Sequence, residues 1–378
     1  MFKERKIKII FSVILVFLLF CHGLTYIFCT KIKNKKKGIV FETALTVNNF
    51  FNSKYQNDIE NFLKEKGKIA KKFRKINNTI IFKLFSSTSS GVIIGKDDFL
   101  FENGYIKEKF AFDKQDYKTI ENNVKKVKEV QNILNKNGIR FLYILAPTKA
   151  DFYEEYLPKK FDCLLKNNKE EERNYTKFKK ALDEYNVNYI DVNEYFMKNK
   201  YNSKKYLFPK YGIHWSEYGF LNFFNNILNP QYFNNNIICN DFVESKKSLN
   251  TDFDLGDLCG IDKNFFKSKT DNVYFRNCKI KDKNIALPKT IFIGDSFSDI
   301  IYNNFKDMFT DDTNHFRWWY YKDFWTFDSK ILNNLQVNQI IDILKKKELI
   351  IFIHTAPNIL NHDLEKFFDD IINNFNGK

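Results

Sequence analysis

Three stretches of this 378-residue chain are apolar almost throughout: residues 141–146 in RFLYILAP, residues 291–293 in TIFIG, and residues 349–353 in ELIIFIH. A strand with one face in water alternates apolar and polar residues, whereas a strand covered on both faces reads as a continuous apolar run. These runs therefore predict interior strands of a covered sheet. Helical spacing separates them. Ile120, Val124, Val127, Val130, Ile133 and Leu134 share one face over residues 116–137, and residues 170–185 form a second amphipathic segment. Residues 187–192 read as a further strand with Asp191 near its end, and a helix follows the last strand. Such alternation predicts an α/β domain with a mainly parallel sheet. Ahead of it, GVIIGKDDFLF at residues 91–101 reads as a β-hairpin turning at Gly95-Lys96-Asp97-Asp98.

The strand TIFIG runs into Gly294-Asp295-Ser296-Phe297 and then a helix-like segment ending Asp299-Ile300-Ile301. That is the layout of a nucleophile turn. Gly294 permits the tight bend, and Ser296 stands in the first turn of the helix, near the positive end of its dipole. A serine so placed can attack a carbonyl carbon, with nearby backbone N–H groups stabilising the oxyanion. It needs a base, and the chain has five histidines. In YLFPKYGIHWSEYGFLNFFNNI (residues 206–227), Pro209 and Gly212 mark a loop, and Ser216 caps a helix that buries Phe220, Phe223 and Phe224. His214 sits just before that helix, beside Trp215, which makes it the preferred base; His315, His354 and His362 are rivals, and His22 falls in the apolar N-terminal run. Residues 228–289 are polar, Asn-rich and aperiodic, and are expected to be loops. His315-Phe316-Arg317-Trp318-Trp319-Tyr320-Tyr321, with Trp325, holds three of the four tryptophans. It reads either as an aromatic core strand or as a platform for sugar rings.

Residues 9–30 are 22 residues without a formal charge, long enough to span a bilayer as a helix. No small-x-small cleavage site follows, and Cys21 follows Leu-Leu-Phe rather than a small residue, so an uncleaved anchor over residues 1–30 is expected. A juxtamembrane stretch, residues 31–84, would hold an amphipathic segment (40–63) and a basic run (64–75). The chemistry-bearing domain would occupy residues 85–378. The net charge of +15 suggests nucleic acid, but residues 1–37 carry +8 and residues 61–75 carry +6, which leaves +1 for the remainder. Charge gathered beside an anchor suits anionic lipid head groups, not a nucleic-acid face. Lysines flank the apolar run on both sides, so charge does not orient it. The six cysteines form no CxxC pair, so a metal site is not expected; one or two disulfides fit, with no pairing assignable.

Taken in order, GVIIGKDDFLF, YILAPTKADFY followed by YLP, GIHWSEYG and IFIGDSFSDI make the chain resemble the AlgJ/AlgX-type alginate O-acetyltransferase family of the SGNH/GDSL hydrolase-like superfamily, over roughly residues 90–375. The resemblance implies a three-layer SGNH-like domain behind one N-terminal transmembrane helix. It implies Ser296 as acyl-carrying nucleophile, His214 as base and Gly294 with Ser296 in the oxyanion motif, without a cofactor. It also implies acetyl transfer to an exported or cell-surface polysaccharide, with a polytopic membrane O-acyltransferase as acetyl supplier. Lys149, Trp215, Arg317, Trp318 and Trp319 are the expected substrate contacts. One position departs from the family. Where the family writes Asp-x-His-Trp, this chain has Gly212. Either another acid serves, with Asp295, Asp191 and Glu217 as candidates, or the centre is a Ser–His dyad, or the protein is a non-catalytic relative. An esterase or deacetylase of the same fold, and a silent glycan-binding assembly protein, are the competing functions.

Overall fold

The computed structural model describes residues 68–375 and a few residues between 48 and 60, with breaks at 89, 168, 204, 240–241, 246–249, 266–271, 276–277, 306–315, 321–322, 326–330 and 333–335. The expected anchor at residues 9–30 and most of the amphipathic segment 40–63 lie outside the described residues. Among the described residues no helix is long and apolar enough to cross a membrane. The chain divides into two compact units, Met1–Phe73 and Arg74–Lys378. The second unit carries the features that follow.

The expected hairpin is present: β1 (Ile93–Ile94) pairs antiparallel with β2 (Leu100–Phe101). Then come β3 (Arg140–Ala146), β4 (Tyr189–Asp191), β5 (Ile237–Ile238), β6 (Phe242–Ser245), β7 (Asn272–Phe275), β8 (Lys279–Ile280), β9 (Thr290–Gly294), β10 (Phe316–Tyr320), β11 (Asp323–Trp325), β12 (Ile331–Leu332) and β13 (Leu349–Thr355). The main sheet has seven strands in the order β12-β11-β10-β9-β13-β3-β4. From β10 to β4 every pairing is parallel; β11 and β12 add an antiparallel edge.

Side chains alternate across this sheet into two separate cores. Phe141, Tyr143 and Leu145 of β3, with Ile350 and Phe352 of β13, meet helices Tyr117–Lys136, Asn174–Glu184, Val337–Lys345 and His362–Asn374. Leu142, Ile144 and Ala146, with Ile351 and Ile353, face the other way, toward Val192, Phe196, Trp215, Phe220 and Phe224. Covered on both faces, these strands had no polar face to display, which is why they read as unbroken apolar runs. Helix Tyr117–Lys136 is capped by Asp116, whose carboxylate accepts from Thr119 N–H (2.8 Å).

The helix expected from residue 170 starts later, at Asn174, because Arg173 is extended and its guanidinium turns inward. It bonds Glu108 (2.7 Å) and Asp151 (2.8 Å), and Lys109 also reaches Asp151 (3.2 Å). Burial works against ionising Asp151, but the charges of Arg173 and Lys109 outweigh it and hold the carboxyl below the usual range. Arg173→Ala strands buried carboxylates, so it should cost about 3–5 kcal/mol. Thermal or denaturant unfolding of the variant beside the parent measures this, and a loss below about 1 kcal/mol would contradict it.

Residues 228–289 are not simply loops. β5 pairs with β8, β6 pairs with β7, Cys239 is disulfide-bonded to Cys278, and a short helix spans Asp254–Leu258. Strands of two to four residues are too short to show a period, so the sequence pattern missed them.

Candidate active site

The parallel strands all end on one edge, where Ala146, Asp191, Gly294 and Thr355 lie. The carboxyl ends of parallel strands are where open α/β sheets place ligands. Gly294 closes β9 against the neighbouring strand: a Cβ there would lie 2.3 Å from Ile353 O. The chain then turns through Asp295 into a short 3-10 segment, Ser296–Ser298, and helix Asp299–Phe305. Ser296 is half-buried at the start of that segment.

Asp295 was a candidate for the catalytic acid. Its carboxylate instead holds the turn. Oδ2 accepts from Thr355 N–H (2.9 Å), Thr355 Oγ1 (2.8 Å) and Asn358 Nδ2 (2.9 Å), while Oδ1 accepts from Phe297 N–H (3.0 Å). Ser298 N–H is also taken, by Asp295 O (2.9 Å). With Phe297 and Ser298 engaged, Ser296 itself supplies the remaining N–H of the turn.

The histidine loop comes to the same place. Trp215 is fully buried and donates its indole N–H to Phe297 O (3.0 Å), and the His214 ring packs on the Phe297 ring with centroids 4.8 Å apart. Trp215 therefore joins the two motifs from inside the core. It is not an exposed sugar contact as expected, because the helix that Ser216 caps carries it inward among Phe196, Phe220 and Phe223.

A carboxylate does meet His214, from an unexpected place. Nδ1 of His214 is hydrogen-bonded to Asp254, 40 residues downstream in the segment expected to be loops. Asp254 Oδ1 accepts from Ile213 N–H (2.9 Å) and Leu255 N–H (2.6 Å), so the carboxylate is gripped on both oxygens. Its chain lies where a side chain at 212 would go. A Cβ on Gly212 would be 2.3 Å from Thr251 O and 3.0 Å from Asp252 C. Gly256 N–H donates to Tyr211 O (3.1 Å), and Tyr211 meets Phe253 edge-on (5.5 Å). Glycine at 212 is the imprint of that segment on the histidine loop. Of the other candidate acids, Asp191 caps the following helix through Glu194 N–H (3.1 Å) and accepts from Tyr175 OH, and Glu217 is buried in the helix after His214. Neither meets His214 Nδ1.

Burial opposes protonation of His214, but the hydrogen bond and charge of Asp254, with the charges of Asp299 and Asp295, raise its pKa above the ordinary 6.5. Its Nε2 is sealed from solvent and has no hydrogen-bond partner, so no bond to Ser296 is formed in this state. His354 is no rival: it is buried within β13, and burial lowers its pKa to about 4. His362 opens the last helix, and His315 and His22 lie outside the described residues.

Lys149, an expected substrate contact, is 2% exposed. Its Nζ donates to Lys210 O (2.8 Å) and Gly212 O (2.7 Å), and it lies over the Phe99 and Phe101 rings. It positions the histidine loop, and burial lowers its pKa well below the usual value. Arg317, Trp318 and Trp319 lie in β10 opposite Ile291, Phe292 and Ile293; their side chains fall outside the described part of the structure. Among the described residues no group of three or more His, Cys, Asp or Glu could hold a metal ion.

Residues 92–221 match the family described as "SGNH hydrolase-like domain, acetyltransferase AlgX". That match runs from the hairpin through His214 and stops short of Asp254 and Ser296. The O-acetyltransferase domain of Pseudomonas putida AlgJ is 14% identical, with 75% of this chain and 99% of that one covered and a TM-score of 0.46. Bacillus cereus PatB1 is 12% identical, covering 72% and 98%, with a TM-score of 0.46. Pseudomonas aeruginosa AlgX is 14% identical, covering 75% and 67%, with a TM-score of 0.45. No curated protein sequence matches the chain.

Proposed function

From the likeness of residues 92–221 to an AlgX-type acetyltransferase domain, we propose that this chain is an O-acetyltransferase acting on hydroxyls of a cell-surface or exported polysaccharide. It is held at the membrane by residues 9–30, with the domain on the extracytoplasmic side, and receives acetyl from a polytopic membrane O-acyltransferase. The observation that carries the reading is the His214–Asp254 pair beside Phe297, which gives Ser296 a base with a fixed ring. Asp254 accepts a hydrogen bond from Nδ1–H, which holds the tautomer that leaves Nε2 as the basic nitrogen.

Nε2 removes the proton of Ser296 as Oγ bonds to the acetyl carbon, and the Ser296 N–H stabilises the oxyanion. His214 returns that proton to the departing group of the donor. It then takes the proton of the acceptor hydroxyl, whose oxygen bonds to the acetyl carbon as the bond to Oγ breaks. Oγ leaves with the proton restored.

Intact-protein and peptide mass spectrometry after mixing with p-nitrophenyl acetate tests this. One acetyl group should appear on the Ser296 peptide and vanish when a hydroxyl acceptor is added, with the acetyl recovered on the acceptor. Prompt release of free acetate without acceptor would make the protein an esterase, and no adduct at Ser296 would sink both readings.

A further inference from the structure

The Asp254 side chain is 27% exposed, so burial does not hold its carboxylate in place; the segment that carries it must. One side of that segment meets the histidine loop, through Ile213 N–H and Tyr211 O. Its far end meets a different element. Helix Lys68–Phe85 precedes the β1–β2 hairpin, and its turn at residues 75–79 lies against residues 257–262. Asn78 Nδ2 donates to Cys259 O (2.9 Å), and Asp262 N–H donates to Thr79 Oγ1 (2.9 Å), which itself donates to Lys75 O (2.6 Å). Lys75 also pairs with Asp257 (3.6 Å), an exposed pair of little weight. Gly260, at φ +62°, leaves the space that Asn78 fills: a Cβ there would be 2.8 Å from Asn78 Nδ2. Thr79 and Phe82 are buried, so this helix face is packed. Helix Asp254–Leu258 is thus bonded at its start to the histidine loop, and the chain just beyond its end is bonded to residues 78 and 79.

We infer that Asn78 and Thr79 are positioning residues for acyl transfer: their helix clamps the far end of the 254–262 segment and so sets how squarely Asp254 faces Nδ1 of His214. This rests on the acyl-transfer reading above, with Asp254 as the acid. A five-residue helix held only at its first turn can swing about that attachment, and its carboxylate swings with it. Held at both ends, it cannot. A displacement of about 1 Å in a catalytic constellation can cost about 10²-fold in rate, so two hydrogen bonds away from the reacting atoms can carry a large effect. Neither residue gives or takes a proton in the reaction.

The test uses the full-length chain in detergent, with p-nitrophenyl acetate as donor and glycerol as acceptor. Asn78→Ala and Thr79→Val should each lower kcat for transfer about 10- to 100-fold and leave KM for the donor within about threefold. Thr79→Ser keeps the hydroxyl and should stay close to the parent. Burial lowers the His214 pKa, while the bond and charge of Asp254, with the charges of Asp299 and Asp295, raise it; the Glu102 and His214 charges also reach each other. Loosening Asp254 should therefore move the acid limb of the kcat profile to lower pH, part of the way back toward an ordinary histidine. In an Asp254→Ala background, Asn78→Ala should cost less than about twofold more, because the clamp then has no carboxylate to place. Circular dichroism confirms each fold, and Thr79→Val against Thr79→Ser decides the matter where Asn78→Ala does not fold. Parental rates in Asn78→Ala and Thr79→Val, a lowered kcat with the pH profile unmoved, or the full Asn78→Ala loss persisting without Asp254 would each overturn the inference. If Asp254→Ala transfers acetyl at the parental rate, it is the reading of Asp254 as the acid that fails.

Discussion

Ser296→Ala and His214→Ala should each lower acetyl transfer by about 10⁶, and the double variant should be scarcely worse than either one. The reason is that the two act as a unit: an alkoxide cannot form at Ser296 without a base, and the base has nothing to activate without Ser296. What remains would come from donor binding and the Ser296 N–H. Steady-state release of p-nitrophenol in the presence of acceptor reads the effect, and circular dichroism confirms the fold. Ser296 is half-buried at the surface of the turn, so its loss should leave stability nearly intact. His214 must be neutral to act. Its pKa is raised above 6.5, so activity should fall as pH drops through that raised value, with a midpoint above that of an ordinary histidine. A profile flat from pH 5 to 8 would exclude His214 as the base.

Asp254→Asn should lower transfer by about 10⁴, because an amide in this place no longer fixes the ring tautomer that leaves Nε2 basic. The more telling variant restores the family pattern. Gly212→Asp should not rescue Asp254→Ala. It should destabilise the fold by about 1–3 kcal/mol or more, since its Cβ would fall 2.3 Å from Thr251 O. The usual and the present sources of the acid exclude each other sterically: the segment that delivers Asp254 occupies the room an aspartate at 212 would need. Full activity in Gly212→Asp/Asp254→Ala would show that the loop adapts and that this exclusion is wrong. The Arg173 network belongs to the same support. Arg173 holds Asp151, two residues beyond Lys149, and Lys149 grips the carbonyls of residues 210 and 212.

The layered α/β domain, the hairpin, the amphipathic helix over residues 116–137 and the turn at Ser296 were legible in the sequence because each is a local pattern. A doubly covered strand must be apolar at every position, a cap must precede its helix, and a nucleophile turn needs a small residue between a strand and a helix. The place of His214 just ahead of a Ser-capped helix was legible for the same reason. Lys149 and Trp215 were misread as substrate contacts because a long amphipathic side chain beside a motif has the same local signature whether it points outward or inward. Tertiary packing chose inward for both: one to hold carbonyls, the other to donate to Phe297 O.

The acid was the least legible residue. The sequence by itself determined that 212 is glycine and that an aspartate was absent from its usual place. It could not tell a lost acid from a relocated one. Asp254 sits in a five-residue helix within an aperiodic, Asn-rich stretch, and nothing within a few residues of it points to a histidine 40 positions away. That pairing exists only once the 251–256 segment docks against 210–213, and the contact that makes the docking possible is a missing side chain at Gly212, where close packing leaves room for backbone alone.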